Sequence, residues 1–68
     1  MTLSARNHLQ GTIEEVKLGD VLAHVTLRVA GGVIESVITR RSAEEMSLKI
    51  GDTVTAVVKA TEVMISKP

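Results

Sequence analysis

Three short clusters in this 68-residue chain gather hydrogen-bond donors. Ser4 and Arg6 stand two apart near the start, Thr39 and Ser42 flank a pair of arginines, and Lys59-Ala60-Thr61 follows a run of alternating valines. In an extended segment, residues two apart project to the same side, so Ser4 and Arg6 face one way. Thr39 and Ser42 bracket the expected start of a helix, where unpaired N–H groups and the helix dipole favour an anion. Together the clusters offer two fixed cations, Arg6 and Lys59, several hydroxyls and main-chain N–H groups, and no carboxylate within them. That set suits a small tetrahedral oxyanion, each of whose oxygens seeks donors. It does not suit a hard cation, which needs carboxylate and carbonyl oxygen. Taken singly, each residue also has a plainer role: Ser42 as a helix cap, Thr39 as a cross-strand neighbour, Arg6 as a surface charge.

Composition excludes several other chemistries. Eight basic residues balance eight acidic ones, and there is no Phe, Trp or Tyr. A nucleic-acid binder normally shows a basic excess and a stacking platform, and both are missing. There is no cysteine, so no disulfide can form, and two histidines do not complete a structural zinc site. The carboxylate pairs Glu14-Glu15 and Glu44-Glu45 are adjacent, and neighbours on a strand point opposite ways, which argues against a general acid and base. His8 and His24 fall at strand positions facing solvent or an interface. Gly31-Gly32 lacks the surroundings of a phosphate-binding loop. No apolar run reaches the roughly 18 residues of a membrane span, and no apolar leader stands at the start. The expectation is a soluble cytoplasmic protein that is not an enzyme.

The elements that must position these clusters read mostly as strands. In VLAHVTLRVA, Val21, Ala23, Val25, Leu27 and Val29 share one face, opposite Leu22, His24, Thr26 and Arg28. This is a half-buried strand. Ala30 to Gly32 forms a hairpin turn, and VIESVIT follows with aliphatics on both faces. The first strand, His8 to Leu18, changes parity: Leu9, Gly11 and Ile13 share a face that Val16 and Leu18 leave. A β-bulge at Glu14-Glu15 restores the pattern. Ser42 and Glu45 have the spacing of a capping box, so one or two helical turns are expected, ending near Ser47. TVTAVVKA is a fourth strand with Val54, Ala56 and Val58 inward, and EVMIS a short fifth. The order predicts an all-β, five-stranded OB-like barrel with one short helix between strands 3 and 4, spanning residues 1–68 as a single domain. Such a short chain buries little surface, and with other staples absent, oligomerisation is the expected one.

LSARNHLQGTI, SVITRRSAEEMSLKIGD and AVVKATEVMI, in this order and spacing, resemble the molbindins, or Mop proteins, over Leu3 to Ile65. These are small bacterial molybdate-binding proteins whose domain is also fused to regulators and transporter ATPases; this chain carries neither DNA-binding helices nor an ATPase motif. The resemblance implies a TOBE fold, a ring-like hexamer built as a trimer of dimers, and molybdate or tungstate held at subunit interfaces. By position it implies a site of Ser4 and Arg6, Thr39 and Ser42, and Lys59, Ala60 and Thr61. Relatives often have serine where Ala60 stands, so only its N–H can donate, and Thr61 is the residue that could compensate. The competing expectation is an OB-type structural or adaptor module for a protein partner.

Overall fold

The computed structural model describes residues 2–68. Four strands, β1 (Asn7–Leu18), β2 (Leu22–Val29), β3 (Gly32–Thr39) and β4 (Thr53–Val58), form one antiparallel sheet in the order β3-β2-β1-β4. A six-residue helix, α1 (Arg40–Glu45), joins β3 to β4, and a single 3₁₀ turn covers Ala60–Glu62. The fold is all-β and OB-like, but the sheet is open and four-stranded, not a closed five-stranded barrel. The expected fifth strand, Glu62 to Ser66, has no ladder partner: the chain beyond the 3₁₀ turn is irregular and exposed. A strand exists only where its N–H and C=O groups find ladder partners; here the Glu62 and Val63 N–H groups are bonded back into the 3₁₀ turn, to the Lys59 and Ala60 carbonyls, and not to another strand.

β1 is the spine. Its first half, Asn7 to Thr12, pairs with β4, and its second half, Gly11 to Leu18, pairs with β2. The two ladders overlap at Gly11 and Thr12. A Cβ on Gly11 would lie 2.8 Å from both the Arg28 carbonyl oxygen and Val29 Cγ1, so the strands' approach there requires glycine. The bulge falls at the expected place. Ile13 pairs with Leu27 and Glu15 with Thr26, which leaves Glu14 as the extra residue and returns Val16 to the inner face opposite Val25. Glu14 turns outward onto Arg28.

Ile13, Ala23, Val25, Leu27 and Ala43 are the buried apolar residues, with Ile34, Ile38, Leu48, Val54 and Ala56 packed partly against the central three. At α1 the cap differs from expectation. Thr39 is the N-cap, its side chain accepting from the Ser42 N–H at 3.1 Å. Ser42 therefore sits at the third helical position, and Glu45, freed from any capping box, pairs with Arg41 at 3.2 Å. The helix stops as predicted: Ser47 is left-handed (φ 51°), and the Leu48 N–H donates to the Ala43 carbonyl at 3.1 Å.

The chain is large for its mass. It exposes 5536 Å², against roughly 4,200 Å² for a compact folded monomer of this size. Its radius of gyration is 12.7 Å, against about 11 Å for 68 residues folded compactly. An open groove of about 680 Å³ lies between β3 and β4, floored by Ile13, Val25 and Leu27, and large apolar residues outside it, Val21, Met64 and Ile65 among them, are also exposed.

Candidate oxyanion site

The register decides which clusters meet. Asn7 opposes Val58 across the β1–β4 ladder. Ser4 and Arg6, just before Asn7, and Lys59, Ala60 and Thr61, just after Val58, therefore lie at the same end of the sheet. Thr39 opposes Leu22, and the next β2 residue, Ala23, opposes Leu18. Thr39 and Ser42 thus belong to the end where β1 finishes. Along β1, the eleven steps from Asn7 to Leu18 correspond to a contour on the order of 35 Å at about 3.3 Å per residue, close to the longest dimension of the molecule, 36 Å. One chain places Ser4, Arg6, Lys59, Ala60 and Thr61 at one end of the sheet and Thr39 and Ser42 at the other.

At the first end, Arg6 borders a shallow pocket with Asn7, His8, Leu9, Val58 and Val63. Arg6 and Lys59 are exposed. Among the described residues neither joins an ion pair, whereas Lys17, Arg28, Arg40 and Arg41 each have a carboxylate. Among the described residues Lys49 and Lys67 are unpaired as well, so what marks Arg6 and Lys59 is their shared place at this end of the sheet, with charge free for a ligand. The Glu62 N–H donates to the Lys59 carbonyl at 2.9 Å, closing the 3₁₀ turn. The N–H groups of Ala60 and Thr61 precede that first internal bond, as the leading donors of any helical turn do. Glu62 borders the groove on the inner face of the sheet, not the Arg6 pocket.

At the second end, two donors of the expected set are already engaged. The Ser42 N–H goes to Thr39 Oγ1, and the Thr39 hydroxyl donates to Ser42 Oγ at 2.9 Å. The Arg40 N–H donates to the Val21 carbonyl at 2.8 Å. What this end keeps for a ligand is the Ser42 hydroxyl, held in place by the Thr39 bond.

Two residues at the first end were not among the sequence candidates. Asn7 Nδ2 donates to the Val58 carbonyl at 3.2 Å, and His8 Nε2 lies 3.0 Å from the Ala5 carbonyl oxygen. An amide and an imidazole directly beside a candidate cation were the available signal. The other histidine, His24, sits at mid-sheet with Nε2 3.0 Å from Glu35 Oε1, and takes no part in either end.

Comparison with known proteins agrees with this chemistry. The TOBE domain profile matches residues 3–65. Molybdenum-pterin-binding protein 2 of Clostridium pasteurianum is 50% identical over 66 residues, covering 96% of this chain and 97% of that protein. A molybdate-binding protein from Sporomusa ovata superposes with a TM-score of 0.93 at 39% identity, over 98% of this chain and 100% of that one. The cytoplasmic molybdate-binding protein ModG, with molybdate bound, has a TM-score of 0.83 at 44% identity, over 88% of this chain and 43% of that one.

Proposed function

The chain belongs to the TOBE domain family, within its molbindin (Mop) branch, and from that premise we propose that it binds molybdate between copies of itself and stores or buffers the oxyanion in the cytoplasm. Tungstate, of the same charge and shape, fits the same donors. No catalytic role enters this reading. The observation that carries it is the split of the donor set: Arg6, Ser4, Lys59, Ala60 and Thr61 at one end of the sheet, Thr39 and Ser42 at the other. A pocket that draws on both ends needs the first end of one copy against the second end of another, with Thr39 holding the Ser42 hydroxyl in place.

The surface supports association. Leu18, Val21, Leu22 and Val37 are all at least half exposed, and so are Met64 and Ile65. The excess area, roughly 1,300 Å² over a compact monomer, exceeds the roughly 800 Å² per partner of a standard interface. The unpaired segment Val63–Ile65 has the composition of a strand, and the groove between β3 and β4 is apolar at its floor and bordered by two free strand edges. Exchange of this segment between copies would satisfy both and complete the barrel. A hexamer, as a trimer of dimers, is the assembly we propose. Among the described residues no helix is long and apolar enough to cross a membrane.

Native mass spectrometry with and without sodium molybdate tests the proposal. A hexamer whose mass rises with molybdate supports it. A monomer indifferent to the anion overturns it, and would favour an adaptor whose apolar face takes a different protein.

A further inference from the structure

Ser4, Ala5 and Arg6 precede β1, and residues 2–6 contribute none of the backbone hydrogen bonds formed outside the helices and strands. Two side chains act on this end instead. Asn7 Nδ2 bonds the Val58 carbonyl and registers the start of β1 on the end of β4. His8 reaches back three residues to the Ala5 carbonyl, between the two candidate ligands Ser4 and Arg6. A carbonyl oxygen only accepts, so Nε2 must carry the proton and donate.

We infer that His8 is a positioning residue for the oxyanion: through the Nε2–H bond to the Ala5 carbonyl it fixes the backbone that aims Ser4 and Arg6. The inference rests on the proposed site, and it adds a residue that itself contacts no ligand. The physical reason is pre-organisation. A segment without ladder bonds must be ordered when the anion arrives, and that ordering weakens binding. A bond that holds the segment beforehand removes part of the loss. His8 suits the task because it is exposed on the strand next to Asn7, so its ring is free of the core. Its reach also matches a carbonyl three residues earlier.

Calorimetric titration with sodium molybdate tests the inference on the full chain. His8→Val removes the donor and keeps a side chain suited to a strand, whereas His8→Gln keeps an N–H at similar reach. One neutral hydrogen bond translates to about a three- to tenfold loss of affinity. A loss of threefold or more in His8→Val, with His8→Gln nearer wild type than His8→Val, supports the role. A smaller loss in His8→Val, or a glutamine variant as weak as the valine one, overturns it. Arg6→Ala, titrated alongside, separates the two levels: if it too binds normally, the site itself is wrong, whereas a weak Arg6→Ala beside a normal His8→Val condemns only the positioning role. Long-range nitrogen–proton NMR on the wild-type protein gives an answer independent of any variant. The neutral His8 ring must carry its proton on Nε2, and a proton on Nδ1 overturns the inference.

Discussion

Removing the Arg6 guanidinium should abolish most molybdate binding and leave the fold intact. Arg6 is exposed, joins no ion pair among the described residues, and lies outside the cluster of Ile13, Val25 and Leu27. Its truncation to alanine opens no cavity and strands no partner, so stability should change by less than about 0.5 kcal/mol. Binding is another matter. A hydrogen bond to a charged group contributes about 1.5–3 kcal/mol, which is roughly a 10- to 150-fold change in affinity. Exposure in the lone chain would normally shrink that figure, because water screens a surface charge. The reading requires a second copy to close the pocket, which excludes that water, so the full range applies. Arg6→Lys keeps the charge but loses the planar fork, and should fall between wild type and alanine. Lys17→Ala removes one charge as well, from a residue already paired with Glu15 at 3.5 Å, and should bind as wild type does. Calorimetric titration at neutral pH, beside thermal unfolding of each variant, measures both quantities. An Arg6→Ala affinity within twofold of wild type, or one matched by Lys17→Ala, would refute the reasoning.

Phosphate should compete poorly with bound molybdate at pH 7. The proposed pocket is made of donors, and phosphate near its second pKa of about 6 keeps a proton in part. None of the proposed groups is an acceptor only, so that proton finds a partner only where a hydroxyl gives up its own donor role, at a cost of up to the roughly 1–3 kcal/mol of an unpaired donor; displacement by phosphate as effective as by tungstate would refute the donor-lined pocket. Gly11→Ala should destabilise the fold by about 1–3 kcal/mol, as overpacking does, because the new methyl would stand 2.8 Å from the Arg28 carbonyl oxygen; chemical denaturation would show it as a lowered midpoint. Ile65→Asp should be silent in an isolated chain, where Ile65 is 89% exposed, yet should break the oligomer if the tail is exchanged between copies. Sedimentation velocity decides, and an unchanged assembly would exclude the exchange.

Much of this architecture was legible because period-two patterning and glycine chemistry act locally. The alternation of Ala23, Val25 and Leu27 marked the inner face of β2, and the parity slip after Ile13 located the bulge to the residue pair. The helix was legible but its cap was not. Ser42 and Glu45 satisfied the spacing of a capping box, yet Thr39, three residues earlier, held the extended conformation that a cap needs and took the role. Spacing alone cannot choose between two hydroxyls three residues apart; the choice falls to where β3 stops pairing with β2. For the site, residue types pointed to anion chemistry, but the partition of the clusters depends on strand direction. With β1 antiparallel to both β4 and β2, and β2 antiparallel to β3, the chain positions just before β1 and just after β4 fall at one end, and the close of β3 at the other. Asn7 and His8 escaped notice because their partners are main-chain carbonyls, which every residue has and no residue type announces.

The fifth strand is the instructive miss. Val63, Met64 and Ile65 carry the apolar character of a strand, and that part of the reading needs no revision. What a residue pattern reports is a segment's demand for a ladder and a dry face, not the chain that supplies them. Here β3 and β4 each keep a free edge, the groove between them is open, and the tail that could fill it lies exposed beyond the 3₁₀ turn. Supply and demand exist in the same molecule and do not meet. The split of the donor clusters between the two ends of the sheet poses the same problem in polar terms. On the proposed reading one operation, the approach of a second copy, would relieve both the apolar and the polar mismatch, and that would link oligomerisation to oxyanion binding. If the link holds, conditions that dissociate the assembly release the anion, because the pocket and the completed barrel require the same neighbour.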